Sequence, residues 1–206
     1  QSPAGAGVNP PGTERGHQQD AGSPERTRNL GGGKYTWWKN AEGQPVARWN
    51  PQLSGRYRLW ISWGCGFETH SRDARYVLDR DGDANTREDW EEIHRIDQRH
   101  FADGTAVPAA KPLWSGFAPG RLVTLDARSS LLLVGGATGT ALTADVVLFE
   151  SLPVDEEVAE ATQPPPLRDA VQATGNLETF PAHAARAVRF VIEATNSSQP
   201  CLDELE

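Results

Sequence analysis

The chain has 206 residues, of which 37% are hydrophobic, enough to bury one core of ordinary size. Its formal net charge of −8 repels phosphate backbones and anionic lipid headgroups, which excludes nucleic acid and membrane surfaces as attractive partners. Because no apolar run of about eighteen residues is present, we expect no membrane insertion.

Composition divides the chain into four segments. Residues 1–33 are rich in Gly, Pro, Ser and Gln and nearly lack apolar side chains, which is typical of an extended tail or linker. Residues 34–152 alternate apolar and polar positions. Residues 153–166 are acidic and proline-rich and favour a semi-rigid spacer, and residues 167–206 form a C-terminal extension.

Short strands bounded by Gly, Pro, Asp or Asn are predicted through the second segment. They span residues 35–38, 46–49, 56–62, 74–78, 93–97, 121–125, 130–134 and 145–149. Strands of this length and spacing predict an all-β fold, an antiparallel β-sandwich of jelly-roll-like form. Helical character is expected at residues 86–92 and around residues 167–173.

The strand at residues 56–62 alternates clearly. Tyr57, Leu59 and Ile61 face one way, whereas Arg58 and Trp60 face the other. This pattern predicts a half-buried strand.

Several short motifs follow one another in a defined order between residues 54 and 149. They are Gly55-Arg56-Tyr57, Ala74-Arg75-Tyr76, Asp97-Gln98, Trp114-Ser115-Gly116-Phe117 and Ala144-Asp145-Val146-Val147. In this order they resemble the golvesin-like module at the C-terminal end of xanthan lyases and related secreted bacterial proteins, over about residues 57–150. The resemblance implies a non-catalytic, carbohydrate-binding-like sandwich in an extracellular, cell-surface or periplasmic protein. Residues 79–92 are longer and more acidic than the family's short turn, so no loop function is carried over.

A second resemblance concerns residues 185–206. They look like the first strand of discoidin-like modules in multidomain proteins of planctomycete bacteria. We therefore expect residues 167–206 to form a partial module or a docking strand, which would need a partner edge.

An acidic loop offers a candidate metal site. Oxygen ligands at alternate positions, Asp79, Asp81, Asp83 and Asn85, suit a hard cation such as calcium. The loop is not an EF-hand, because Ala84 stands where the turn glycine belongs. The alternative is an ordinary solvated turn.

Tryptophans provide the candidate ligand site, since an exposed indole can stack on the apolar face of a sugar ring. Among the seven tryptophans, Trp38, Trp60 with Arg58, and Trp90 are the predicted binding residues for a glycan. The alternative is that these rings fill the sandwich core.

The two cysteines, Cys65 and Cys201, are predicted to form a disulfide if the compartment is oxidising; otherwise both are small buried hydrophobes. The five histidines lack metal-ligand spacing, and no nucleophile motif is present, so we expect no enzymatic activity. The leading hypothesis is a polysaccharide-binding module. Its alternative is a structural subunit whose copies join by strand addition.

Overall fold

The computed structural model describes residues 15–21, 28–107, 110–152 and 163–164. All of these lie in the first of two units into which the chain divides, residues 1–168, and the second unit is residues 169–206. The expected helix at residues 167–173, the discoidin-like segment and Cys201 therefore lie outside the described residues. Of the proposed spacer, two residues are described.

The described part of the chain contains strands and no helix, so the prediction of an all-β fold is confirmed. It holds no helix that could span a membrane. The eight predicted strands are present, and three more were not predicted. The strands are β1 (Arg15–Gln19), β2 (Lys34–Lys39), β3 (Pro45–Trp49), β4 (Gly55–Cys65), β5 (Ala74–Asp79), β6 (Glu91–Ile96), β7 (Leu113–Phe117), β8 (Arg121–Leu125), β9 (Ser130–Val134), β10 (Ala141–Ala144) and β11 (Val147–Ser151).

The strands form three antiparallel sheets. The β9 sheet has the order β3-β9-β5-β6, and the β2 sheet has the order β1-β2-β10. In the β4 sheet, the long strand β4 pairs with β11 and β8 through its first half and with β7 near its end.

The core lies between the β4 and β9 sheets. From β4 it takes the alternate residues Leu59, Ile61 and Trp63, which are all buried. The β9 sheet contributes the alternate positions of its two central strands, such as Tyr76 in β5 and Leu131 in β9. Burial of apolar side chains from both sheets in one cluster confirms a β-sandwich.

The opposite face of β4 corrects the expectation of a half-buried strand. From Arg58 onward every residue of β4 is buried, on both faces. Trp60 and Ser62 point away from the core and still find partners, because Glu150 and Asp145 accept hydrogen bonds from their side chains at 3.0 Å each. Polar partners thus cover the face that alternation alone assigned to solvent.

The predicted helix at residues 86–92 is wrong. This segment consists of turns, and β6 begins at Glu91. Asp89 Oδ2 accepts hydrogen bonds from the backbone N–H groups of Arg80 and Asp81, at 2.9 and 2.8 Å. Such carboxylate–backbone bonds compete with helix formation and close the loop on itself.

The loop also covers the outer face of the β9 sheet. Val77, Leu132 and Val134 form a second buried cluster there, with Trp90 packed against it. The acidic segment is therefore the cover of an apolar surface.

Part of the predicted tail is a strand, since β1 pairs with β2 from Arg15↔Trp38 to Gln19↔Lys34. A buried carboxylate holds the next turn. Asp145 accepts hydrogen bonds from the backbone N–H groups of Leu30 and Gly31, at 3.0 and 2.9 Å. These bonds fix residues 28–33 at the junction of β10 and β11.

Candidate functional site

Three of the predicted sugar-binding side chains are buried in the sandwich. Trp60 is 0% exposed, Trp38 5% and Arg58 7%. Arg58 and Trp60 both contact the Glu150 carboxylate, at 3.3 and 3.0 Å. An indole in such surroundings presents no face to a sugar, so the expectation of exposed platforms at Trp38 and Trp60 does not hold.

Trp90 is half-buried and already has neighbours on its ring. It packs on the cluster of Val77, Leu132 and Val134, and the Arg87 guanidinium lies 5.2 Å from its centroid. Its role in this structure is to cover that cluster.

The acidic loop brings together a different set from the one predicted. Carboxylate oxygens of Asp79, Asp81 and Asp89 all lie within 4.8 Å of one another, and Asp83 is not in this group. Asp83 instead accepts hydrogen bonds from the backbone and side chain of Asn85, at 3.0 and 2.8 Å. Asp89 was missed because it follows the alternating run by four positions, and the turn that returns it is not visible in the spacing.

Electrostatics around Asp79 are unfavourable for a charged group. Burial raises the pKa of Asp79, and Asp89 raises it further, against hydrogen bonds from Ser130 and Gly82 and the charge of Arg48. Asp89 Oδ1 is buried and has no hydrogen-bond partner among the described residues. Calcium binding at this loop stays a prediction.

Cys65 lies at the end of β4 and is buried. Its Sγ is 3.6 Å from the Leu113 carbonyl oxygen. Since Cys201 lies outside the described residues, the disulfide remains a prediction.

A cleft of about 220 Å3 lies at the side of the sandwich. There β6, an edge strand of the β9 sheet, approaches the segment that joins β7 to β8. Its lining includes Trp63, His94, Asp97, His100, Phe101 and Pro119. The cleft thus combines buried aromatic rings with a polar rim, the usual make-up of a small ligand site.

His94 lines this cleft and contains a buried polar atom. His94 is 9% exposed, and its Nε2 has no hydrogen-bond partner among the described residues. Burial and then the charge of Arg121 lower the pKa of His94 to about 4, although the Pro119 carbonyl favours the protonated ring. The ring is therefore neutral at pH 7. Because the Pro119 carbonyl accepts the ring proton, we assign the hydrogen to Nδ1. The unprotonated Nε2 is then a hydrogen-bond acceptor.

The rim of the cleft is held by ion pairs. Asp97 accepts a hydrogen bond from Arg99 Nε at 2.9 Å, and Arg99 also binds Glu68 at 2.9 Å. Partial burial raises the pKa of Asp97, but the Arg99 bonds outweigh it, so that the pKa lies below its ordinary value. The Trp63 indole donates to the His100 carbonyl at 3.2 Å. These contacts fix the loop after β6.

Gln98, the second residue of the Asp-Gln motif, has a structural role. Gln98 is fully buried, and its amide donates to the Thr143 carbonyl at 2.6 Å and accepts from the Thr143 N–H at 2.9 Å. Gln98 therefore substitutes for a strand partner of β10 and carries Asp97 into position at the cleft.

A second, more polar cleft of about 350 Å3 lies farther along the same side. It is lined by Arg56, Tyr57, Arg80, Glu91 and residues 122–124. Both clefts thus follow the line between β6 and β8.

Comparison with known proteins gives one structural likeness and no family. No family model and no curated protein matches the chain. A solved structure of xanthan lyase from Paenibacillus has 14% sequence identity and a TM-score of 0.41, over 74% of this chain and 13% of that chain. This chain therefore spans a small part of the length of that protein. Such a likeness assigns neither ligand nor activity, and the golvesin-like identity stays a prediction.

Sequence reasoning pointed to the region of the cleft and missed its central residue. Asp97-Gln98 was singled out as a motif, whereas His94 was only one of five histidines without metal-ligand spacing. A histidine at an alternate position of an edge strand gives no signal of burial, because the covering residue, Pro119, is distant in sequence.

Proposed function

We propose that this chain is a non-catalytic, polysaccharide-binding β-sandwich module of a secreted or cell-surface bacterial protein, with its ligand in the cleft at His94. The observation that carries the proposal is the cleft itself, in which the aromatic rings of Trp63 and Phe101 lie beside His94 and Asp97. In the described part of the chain, the buried Nε2 of His94 has no hydrogen-bond partner, which is costly, so a small movement of its surroundings that admitted a ligand hydroxyl would be favourable.

The chemistry of the cleft favours sugar hydroxyls as ligand groups. Arg99 donates two hydrogen bonds to Asp97 Oδ1 and one to Oδ2, so Oδ2 keeps a lone pair that can accept from a sugar hydroxyl. His94 Nε2 can accept from a second hydroxyl once the ligand displaces the atoms that cover it. Trp63 and Phe101 supply apolar lining for C–H groups. The order of motifs that resembles the golvesin-like module supports the same ligand class and a secreted parent protein.

Two protonation states support binding without catalysis. An acid–base catalyst works best with a pKa near the working pH. In the cleft, the pKa of His94 is about 4, and that of Asp97 is held below its ordinary value by Arg99. Neither group is set to exchange a proton at neutral pH.

The test is a glycan array followed by calorimetry with the matched variants His94→Phe and His94→Gln. Phe keeps a planar ring and removes the acceptor, so we expect affinity for any array ligand to fall roughly tenfold. Gln keeps a side-chain acceptor and should bind more tightly than Phe. Equal affinity of the wild type and His94→Phe would place the ligand elsewhere, and an empty array would reject the proposed function.

A second candidate is a structural subunit of an extracellular assembly held by strand addition. The edge strand β8 favours it, since β8 pairs with β4 and with no second strand in the described part of the chain. Its Leu122 is 55% exposed. Exposed apolar edges promote pairing between chains.

Light scattering after size exclusion distinguishes this candidate. An assembly held through β8 should be large and should dissociate in Leu122→Lys, whereas Ala127→Lys, in the following turn, should leave it intact. A wild-type monomer at all concentrations would exclude strand addition in favour of the binding module.

A further inference from the structure

We propose that Asp103 is a site of spontaneous modification, at which the Asp103-Gly104 peptide rearranges through a cyclic succinimide to isoaspartate. The chain contains two aspartates that are followed by glycine, in Asp81-Gly82 and Asp103-Gly104. A glycine in the second position favours this reaction, because it has no side chain to hinder its own attacking nitrogen. The surroundings of the two dipeptides decide between them.

The reaction needs no reagent other than water. The Gly104 nitrogen attacks the side-chain carboxyl carbon of Asp103 and forms a C–N bond, while the carboxyl hydroxyl and the amide proton leave as water. A second water molecule then opens the ring at the main-chain carbonyl of Asp103. The chain now runs through the former side-chain carboxyl, so its backbone is longer by one methylene and its mass is unchanged.

The turn at Asp103 brings the reacting groups together and leaves them room. The Thr105 N–H donates to Asp103 Oδ1 at 2.9 Å, which folds the carboxyl back over the Gly104 peptide. Asp103 and Gly104 are both exposed, and in the described part of the chain no atom lies within 4 Å of a Cβ built on Gly104. Ring closure breaks the hydrogen bond from the Gly104 N–H to the neutral Phe101 carbonyl, which is 2.9 Å long.

The other dipeptide has the same local turn in confined surroundings. Asp81 Oδ1 accepts a hydrogen bond from the Asp83 N–H at 2.7 Å. However, the Gly82 N–H donates at 2.9 Å to the carboxyl of Asp79, and a Cβ built on Gly82 would lie 2.5 Å from the Arg128 carbonyl oxygen. The attacking nitrogen is therefore held by an acidic side chain, and the peptide that must rotate is enclosed by backbone.

Isomerisation at Asp103 would alter the wall of the cleft. Phe101, Ala102 and Gly104 line it, and the turn is closed by a hydrogen bond of 3.0 Å from the Phe101 N–H to the Thr105 carbonyl. An extra methylene between Asp103 and Gly104 does not fit this closed turn. We therefore expect the amide NMR signals of Phe101 and Ala102 to differ between the original and the isomerised chain.

The experiment incubates the folded full chain in heavy-oxygen water at neutral pH and then digests it with trypsin, which places the two dipeptides in different peptides. Opening of the succinimide incorporates one heavy oxygen, and isoaspartate methyltransferase labels the product. We expect both signals at Asp103. They should accumulate roughly fivefold more slowly at Asp81, the factor that corresponds to breaking a charge-assisted rather than a neutral hydrogen bond.

Two controls separate the effect of the fold from that of the dipeptide. In urea, where the fold is lost, both sites should react at similar rates. The variant Gly104→Ala places a Cβ beside the attacking nitrogen, so it should suppress the signal at Asp103 and leave that at Asp81 unchanged. Equal rates at the two sites in the folded chain, or isoaspartate at Asp103 that forms only in urea, would overturn the inference.

Discussion

Gly64 lies at a place where the backbone of β4 comes too close to a ring for any side chain. It pairs with Trp114 of β7, and a Cβ built on it would overlap the ring of Tyr35 in β2. The glycine thus permits the β2 sheet to pack against β4.

Substitution of this glycine tests that packing. We expect Gly64→Ala to lower the free energy of unfolding by roughly 2 to 3 kcal/mol, the cost of overpacking a buried site. The control is Gly104→Ala, which has open space around its Cβ but a φ of 82°, and should cost about 1 kcal/mol by backbone strain alone. Urea unfolding measures both, and a loss at Gly64 no larger than at Gly104 would contradict the close approach.

Two buried histidines predict a dependence of stability on pH. Burial lowers the pKa values of His70 and His94 to about 4 each, whereas an unfolded histidine titrates near 6.5. Between these values the unfolded chain binds more protons, so stability falls as the pH is lowered. Each ring should contribute about 1.4 kcal/mol per pH unit.

The variant His70→Asn isolates one of these contributions. Its amide can replace the contact of the ring with the Gln98 carbonyl, and it does not titrate. The slope of unfolding free energy between pH 6 and pH 4.5 should therefore decrease by about one proton relative to the wild type. An unchanged slope would mean that His70 titrates normally in the folded chain.

At the scale of single residues, the sequence predicted the strand face of a side chain better than its exposure. Arg58 and Trp60 were correctly placed on one face of β4, but the carboxylate that buries them, Glu150, comes from a strand about ninety positions later. Local alternation contains no information about such partners. Likewise, Asp89 joins Asp79 through a turn that the spacing does not reveal.

The acidic loop is the element in which charge and packing compete. It must lie against the β9 sheet so that Trp90 covers Val77 and Leu132, and this brings the carboxylates of Asp79 and Asp89 together. Like charges at this distance destabilise the folded loop unless a proton or a cation separates them.

The variant Asp89→Asn separates these possibilities. Its amide keeps an acceptor for the Arg80 and Asp81 N–H groups and gives Asp79 a donor, so without metal it should gain about 1 kcal/mol. If calcium binds, it should raise the thermal midpoint of the wild type and of Asp83→Asn, but not that of Asp89→Asn. No effect of calcium or of chelator on the wild type would leave the loop a metal-free turn.

The predicted helix in this loop is absent because of the way the whole loop packs. Residues 86–92 contain helix-forming side chains, but a helix would have drawn Trp90 away from the β9 sheet. Tertiary burial of one large ring and the Asp89 bonds to the backbone outweigh that propensity. The strands were predicted more accurately, because each has its own alternation and turn residues.

For the molecule as a whole, the predicted disulfide would link the end of β4 to the C-terminal segment. Closing so long a loop stabilises the fold by about 4 to 5 kcal/mol in the chain-entropy model. We expect reductant to lower the thermal midpoint of the wild type and to have no effect on Cys201→Ser. Two thiols that react with iodoacetamide in the unreduced, unfolded chain would show that the bond is absent.

The sandwich architecture was predictable because short alternating strands leave few other ways to bury one core. The pairing of its strands was not predictable. β7 was missed because Ser115-Gly116 interrupts it. β10 was missed because its partners, β2 along the strand and Gln98 at Thr143, are distant in sequence. Pairing of β2 with β1 also required a partner in a segment whose composition indicated a linker.

The carboxylate of Asp145 that binds the Leu30 N–H lies 115 positions later in the chain. Synthesis at typical rates therefore delivers that anchor roughly 6 to 23 s after the segment it holds. Strand β2 must also wait for a partner, because β10 is synthesised late. A nascent chain therefore cannot complete the β2 sheet or anchor residues 28–33 before β10 and Asp145 have been synthesised.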